Sequence, residues 1–133
     1  MNDTTPASVA ATYFEALDRG DIPTVMAQFA DDVVWNQPGA NTFSGVHRGP
    51  DEVGALIGGM MTVSEGTFTL VVTGPAMVNG DFVAVPVRFT GKRADGSMDM
   101  AGVDLLAVRD GKIVEVHLFS EDGAAEDRFW GLK

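Results

Sequence analysis

The chain has 133 residues, a length that predicts one domain over residues 1–133 with a core of its own. Its 19 acidic residues against 9 basic ones give a formal charge of -10, which argues against nucleic acid and anionic membranes as partners, because both need a cationic face. The chain contains no cysteine, so disulfides, thiol nucleophiles and thiolate metal sites are excluded.

Targeting and membrane signals are absent from the sequence pattern. The N-terminus has neither a basic nor an apolar signal-like region, and no apolar run approaches the length of a membrane span. We therefore expect a cytoplasmic protein with no membrane partner.

The first half of the chain predicts three helices. The first helix is predicted from apolar residues at helical spacing, which are Val9, Tyr13, Ala16 and Leu17. It is expected to end at Arg19-Gly20. Asp21 is predicted to cap a short second helix. The buried side of that helix is predicted to be Ile22, Val25, Met26 and Phe29. A third helix is expected over 51–61, after a short strand over 33–35 and a long loop over 38–49.

The second half alternates between apolar and polar residues, a pattern typical of strands. Four strands are predicted over 67–73, 81–93, 97–109 and 112–120. Hairpin turns are predicted at Asn79-Gly80, Ala94-Asp95-Gly96 and Asp110-Gly111. Pro86 cannot donate to a ladder, so it indicates an edge or a bulge. Helices followed by an antiparallel meander predict an α+β fold, which a short helix over 121–130 completes.

Strand parity divides the predicted sheet into two faces. The apolar sets of the last three strands are expected to face inward, and among them Asp104 is the anomaly. The outer face carries more apolar surface than a solvated sheet normally does, and a homodimer is the predicted cover. The residues predicted on that face are Ala84, Arg88, Val103, Leu105, Ala107, Ile113, Glu115, His117 and Phe119.

Three segments together resemble the NTF2-like superfamily, in particular its SnoaL-like and ketosteroid-isomerase-like branches. They are Tyr13-Phe-Glu-Ala-Leu-Asp-Arg-Gly-Asp-Ile22, Phe29-Ala-Asp-Asp-Val-Val-Trp-Asn-Gln-Pro38 and Asp104-Leu-Leu-Ala-Val-Arg-Asp-Gly-Lys-Ile113. The resemblance implies an NTF2-like cone, in which a strongly curved antiparallel sheet wraps around three N-terminal helices and leaves a central pocket. It also implies a homodimer. Because this scaffold hosts many activities, the resemblance is more specific for fold than for function.

Asp104 and Tyr13 are the first two candidate catalytic residues. Burial among apolar neighbours would raise the pKa of Asp104 and keep it neutral as a hydrogen-bond donor. Aligned with ketosteroid isomerase, Asp104 falls on the aspartic acid of that family's oxyanion hole, and Tyr13 falls on its tyrosine. The alternative is structural: Asp104 bonds a backbone amide, and Tyr13 is a helix-face aromatic whose hydroxyl finds a partner.

Glu121 is the third candidate catalytic residue. It matches the acid/base aspartate of SnoaL-like polyketide cyclases, although capping of the last helix by Glu121 or Asp122 is the commoner use of acids at such a junction. The isomerase has its base where this chain has Gln37, which cannot accept a proton, so steroid-type isomerisation is not expected. The limonene-epoxide-hydrolase set would fall on apolar Phe89, Val87 and Leu118, and that activity is rejected.

The pocket is expected to hold a small, mostly apolar carbonyl compound and to stabilise its enolate. Its predicted substrate-binding residues are Trp35, Gln37, Phe14, Val87, Phe89, Met100, Val116 and Leu118. No metal or cofactor is predicted, because neither His47 nor His117 has a partner at ligand spacing. The competing interpretations are a non-catalytic binding module and a dimeric interaction module with a vestigial pocket.

Overall fold

A computed structural model describes residues 4–132. Its helices are α1 (Pro6–Arg19), α2 (Ile22–Ala27), α3 (Gly49–Val63) and α4 (Gly123–Trp130). Asp21 caps α2 as predicted, because its carboxylate accepts a hydrogen bond from the Thr24 amide at 3.2 Å. Gly20 ends α1 in the left-handed conformation that glycine adopts without strain. No helix in the described part of the chain is long and apolar enough to cross a membrane.

Within the described residues, seven strands form one curved, mixed sheet, and the α+β prediction is confirmed. They are β1 (Phe29–Gln37), β2 (Gly45–Arg48), β3 (Thr69–Val72), β4 (Met77–Asn79), β5 (Phe82–Arg93), β6 (Gly96–Arg109) and β7 (Lys112–Ser120). The order is β2-β1-β7-β6-β5-β3, with β4 also paired to β5. The sheet is not purely antiparallel, because β1 runs parallel to β7.

The strand predictions were incomplete at the two ends of the sheet. β1 begins at Phe29, a residue that the sequence pattern places on the second helix. β2 lies within the predicted loop and places His47 opposite Trp35. The predicted strand over 67–73 is shorter, and β4 follows it as a separate strand. β2 and β4 have only four and three residues, too few to establish an alternating pattern in the sequence.

Pro86 occupies the position on β5 where its missing N–H costs least. β3 pairs with β5 at Val87 and beyond, whereas β4 pairs with it at Ala84 and before. Pro86 lies in the interval between these two pairings and still accepts a hydrogen bond from the Thr73 amide at 3.0 Å. The prediction of an edge at this proline is therefore confirmed locally, and no bulge lies there, because β5 stays in register with β6 from Phe82 to Arg93.

A β-bulge changes which residues of β7 face inward. The register shifts so that Ala107 pairs with Glu115, whereas the next residue, Val108, pairs with Ile113. The extra residue reverses the strand's parity, and Ile113 is completely buried. The prediction of Ile113 on the outer face was wrong, because an alternating pattern cannot reveal a one-residue bulge.

The core lies between the inner face of the sheet and the helices. It combines the inward residues of β5 and β6 with one face each of α1 and α3. Gly102 is required there: a side chain at this position would collide with the Phe119 carbonyl oxygen at 2.5 Å and with the Phe89 ring at 2.8 Å. The missing side chain lets the Phe89 ring lie over β6, on the same inner face as Asp104.

Candidate functional site

Asp104 lies at the centre of the inner face of the sheet. Its neighbours in register are Val85 on β5 and Leu118 on β7, both apolar. The residue is 7% exposed. Burial, and to a smaller extent the nearby carboxyl of Glu126, raise the pKa of its carboxyl to about 7. The predicted burial and raised pKa are both confirmed.

Tyr13 projects from α1 into the same interior and is 2% exposed. Its ring packs edge-on against Phe14 at 5.0 Å and Phe29 at 5.5 Å, measured between ring centroids. Burial raises the pKa of its phenol, and the neighbouring Asp104 adds to that shift. Tyr13 therefore keeps its proton and can donate a hydrogen bond.

The Asp104 carboxyl and the Tyr13 hydroxyl have no hydrogen-bond partner within residues 4–132. The two groups interact electrostatically, but neither forms a hydrogen bond with the other or with a third group of these residues. In the same part of the chain no fully inaccessible side-chain nitrogen or oxygen lacks a partner. The open atoms must therefore retain a little accessible space, which a ligand or water could occupy.

Gln37 and Trp35 lie side by side on the inner face of β1. The Trp35 Nε1–H donates to Gln37 Oε1 at 3.0 Å, and both residues are buried. This bond fixes the orientation of the Gln37 amide and uses its oxygen as an acceptor. Its NH2 group forms no hydrogen bond within residues 4–132, which leaves a third interior donor.

The other residues predicted to bind substrate belong to one apolar core. Leu118 is partly buried and packs against it. The buried members are Phe14, Val87, Phe89, Met100 and Val116. They belong to the main apolar core, and their contact with a ligand stays a prediction.

Glu121 lies apart from Asp104 and Tyr13. It is exposed, and its Oε1 accepts a hydrogen bond from the Ala101 amide at 2.9 Å. It borders an open cleft of about 490 Å³ beside Met98 and Met100, near the start of α4. Asp122 caps α4, because its Oδ1 accepts from the Ala125 amide at 3.0 Å.

Glu126 on α4 is the site residue that the sequence analysis missed. It is 6% exposed, and burial is the main cause that raises its pKa. Its Oε1 accepts from Ser120 Oγ at 2.5 Å, and its Oε2 accepts from Trp130 Nε1 at 3.2 Å. The spacing of Glu126, Phe129 and Trp130, at i, i+3 and i+4, places them on one helix face and could have indicated an inward carboxyl.

Aromatic side chains of α4 cover one end of the interior. Trp130 packs against Phe43 and Phe68, each at 5.4 Å between ring centroids, and against Phe129 at 4.9 Å. Arg93 fixes the helix end by donating to the Phe129 carbonyl at 2.6 Å. Phe129 and Trp130 therefore cover this end of the interior.

Metal ligation has no support from the side-chain arrangement. Across residues 4–132 no three histidine, aspartate or glutamate side chains converge on a possible metal position. His47 Nε2–H donates to the Phe43 carbonyl at 2.7 Å. On the outer face, His117 Nε2 lies 3.6 Å from Glu115 Oε2.

The raised pKa of Asp104 predicts a pH dependence of stability. The folded protein holds a proton up to about pH 7 that the unfolded chain releases near the ordinary value of 3.8. The free energy of unfolding therefore falls as pH rises through this window and levels off above it. Asp104→Asn removes the effect, so its stability relative to wild type should rise between about pH 4 and 7, by at most about 4 kcal/mol.

Chemical denaturation across this pH range measures the difference. Asp32→Asn, at an exposed position on β1, is the matched control and should show no such rise. A constant difference between wild type and Asp104→Asn from pH 4 to 8 would contradict the buried neutral acid.

Comparisons with known proteins identify the family and the fold. The SnoaL-like domain family model matches residues 10–116. An uncharacterized protein of Mycobacterium tuberculosis, Rv0034, is 31% identical over 131 residues, which cover 98% of this chain and 99% of that protein.

Two solved structures show the same fold. One is a protein of unknown function with a cystatin-like fold from Xanthomonas campestris, with a TM-score of 0.92, 45% identity and coverage of 96% of this chain and 98% of that one. The other is an NTF2-like protein from Burkholderia thailandensis, with a TM-score of 0.83, 23% identity and coverage of 98% and 99%. Because the family model spans most of the chain, this chain belongs to the SnoaL-like family, and it shares the fold of these two structures.

Proposed function

We propose that this protein binds a small, mostly apolar carbonyl compound inside the cone and stabilises the enolate formed from it. The observation that carries the proposal is the pair of buried, unbonded groups of Asp104 and Tyr13. Since their atoms retain a little accessible surface, a ligand oxygen that accepts from both would take the place of water there.

The protonation states suit this task. Below about pH 7 Asp104 carries a proton, and Tyr13 carries its own throughout the ordinary pH range. Both groups are therefore donors toward a carbonyl oxygen. When a proton leaves the adjacent carbon, negative charge develops on that oxygen, and donors already in place stabilise it without reorganisation.

Glu121 is the proposed base. Its position matches the acid/base aspartate of SnoaL-like cyclases, and its carboxylate is accessible. The cleft beside it reaches Met98 and Met100, two residues of β6 whose side chains are on the inner face of the sheet. Gln37 has no proton-accepting group at accessible pH. Its free NH2 group could serve as an additional donor to the ligand.

A non-catalytic binding module is the second candidate. It is favoured by the packing of the predicted substrate-binding residues into one continuous core, and by the exposed position of Glu121. The two candidates differ in one step. Only the enzyme would exchange the protons next to the ketone carbonyl of a bound ligand with deuterium from the solvent.

Ligand binding is the first test. In a thermal-shift panel of polyketide, steroid and terpenoid ketones, we expect at least one ketone to raise the melting temperature, because a ligand that binds only the folded state stabilises it. Its hydrocarbon analogue without the carbonyl should bind more weakly. Tyr13→Phe should weaken ketone binding about fivefold, the worth of roughly one hydrogen bond, and Asp104→Leu should do the same. Binding as tight as in wild type in both variants would contradict the two donors.

The missing isomerase base gives a second test. Wild type should show negligible isomerisation of a β,γ-unsaturated ketone, whereas Gln37→Asp should gain activity, since a positioned base contributes on the order of a hundredfold to ten-thousandfold. Gln37→Asn is the matched control, because it shortens the side chain equally without adding a base.

The gain should disappear in the double variant Gln37→Asp with Asp104→Ala. An equal rate in Gln37→Asn and Gln37→Asp would contradict the assignment of an oxyanion hole. Measurable wild-type isomerisation would instead show that another group, such as Glu121 or His47, already accepts the proton.

The outer face of the sheet is proposed as a homodimer interface. Val103 and Phe119 are paired across β6 and β7 and are 38% and 56% exposed, and Phe82 nearby on β5 is 40% exposed. The polar pairs Arg88–Asp99 and Glu115–His117 could form its rim. Such a patch needs a cover, and a two-fold contact would bury it on both copies.

Light scattering at micromolar concentration should return a dimer. Phe119→Glu should return a monomer, because it places a charge within the patch. Met61→Glu, at a 39% exposed position on α3 away from the sheet's outer face, is the control and should remain dimeric. A monomeric wild type would contradict the proposed interface.

A further inference from the structure

Glu126 is a buried carboxyl to which the proposed chemistry assigns no task. Its position relative to Asp104 follows from the strand register. Asp104 pairs with Leu118, and Ser120, the next inward residue of β7, pairs with Gly102. Ser120 and Asp104 are therefore diagonal neighbours on the inner face. Since Ser120 Oγ donates to Glu126 at 2.5 Å, the Glu126 carboxyl is held beside Asp104.

The two carboxyls differ in their partners. Each oxygen of Glu126 accepts a hydrogen bond, one from Ser120 and one from Trp130. The carboxyl of Asp104 accepts none within residues 4–132. Hydrogen bonds from donors stabilise the charged form, so a single negative charge shared by this pair resides on Glu126.

The surrounding groups do not reverse this preference. Toward Asp104, β5 and β7 present apolar Val85 and Leu118, and α1 presents the neutral phenol of Tyr13. Toward Glu126, α4 itself presents Asp127, whose Oδ1 accepts from Asn41 Nδ2 at 2.8 Å. No cation of the described chain forms an ion pair with either carboxyl.

We propose that Glu126 is a positioning residue, whose charge, held by Ser120 and Trp130, keeps the proton on Asp104 and so maintains Asp104 as a donor to the ligand. The inference rests on the proposed function of Asp104. It also gives α4 a second role, because the helix that covers the interior with Phe129 and Trp130 then controls the protonation of the site beneath it.

Carbon-13 NMR of the aspartate carboxyl groups in the ligand-free protein tests this directly, with Asp104→Asn used to assign the signal. In wild type Asp104 should lose its proton near pH 7. In Glu126→Gln the midpoint should fall by about one pH unit or more, because a like charge next to it is removed. The amide can keep both contacts, by donating to Ser120 Oγ and accepting from Trp130.

Two further variants make the result specific. Glu115→Gln removes the same charge from the outer face of β7 and should leave the Asp104 midpoint unchanged. Ser120→Ala keeps the Glu126 carboxyl but removes one donor, so Glu126 takes up a proton more readily and the Asp104 midpoint falls by a smaller amount. This variant also provides the test if Glu126→Gln does not fold.

The outcomes separate the two proposals. An Asp104 midpoint that stays the same in both Glu126→Gln and Ser120→Ala, or that moves equally in Glu115→Gln, would overturn the role of Glu126 alone. An Asp104 that already titrates near the ordinary value of 3.8 in wild type would instead remove the neutral donor on which the proposed function rests.

Discussion

The carboxyl of Asp104 lies inside the protein between apolar strand neighbours, and the properties of the site follow from its burial. Asp104 occupies the middle of β6, with β5 hydrogen-bonded on one side and β7 on the other. It cannot turn toward solvent without breaking that ladder. Burying the charged form would cost several kcal/mol, so the group stays neutral to about pH 7. The sheet thus determines the position of the Asp104 carboxyl, on which Tyr13, Glu126 and the aromatic side chains of α4 act.

The C-terminal helix connects this buried acid to the rest of the fold. Its aromatic side chains exclude water from one end of the interior, and a drier interior strengthens every electrostatic interaction within it. Asp127 binds the Asn41 side chain and the Ala40 amide, which ties the helix to the loop after β1. The helix that closes the interior therefore also supplies Glu126, the second buried carboxyl.

The sequence was sufficient to predict the parts of the site that regular elements present. Strand alternation identified Asp104 as an inward carboxyl, and helical spacing placed Tyr13 on a buried face; both are confirmed as buried. The fold class could be predicted because helical and alternating patterns occupy separate halves of the chain. The short strands β2 and β4 could not, since three or four residues are too few to show a period.

The remaining errors came from tertiary features that leave little trace in local patterns. The bulge that buries Ile113 inserts one residue without changing the composition of β7. Glu126 was missed because acidic residues near the start of a helix are usually solvated or serve as caps, and Asp122 does cap α4. Its burial depends on Ser120 and Trp130, which come together only when the helix docks onto the sheet.

In the proposed function, Asp104 and Tyr13 both donate to a ligand carbonyl oxygen inside the cone. Infrared spectroscopy of bound acetophenone labelled with carbon-13 at its carbonyl tests this most directly, because hydrogen bonds to a carbonyl lower its stretching frequency. We expect a lower frequency in wild type than in apolar solvent, and a partial return toward the solvent value in Tyr13→Phe and in Asp104→Leu. A bound carbonyl whose frequency is the same in wild type and in both variants would contradict the account.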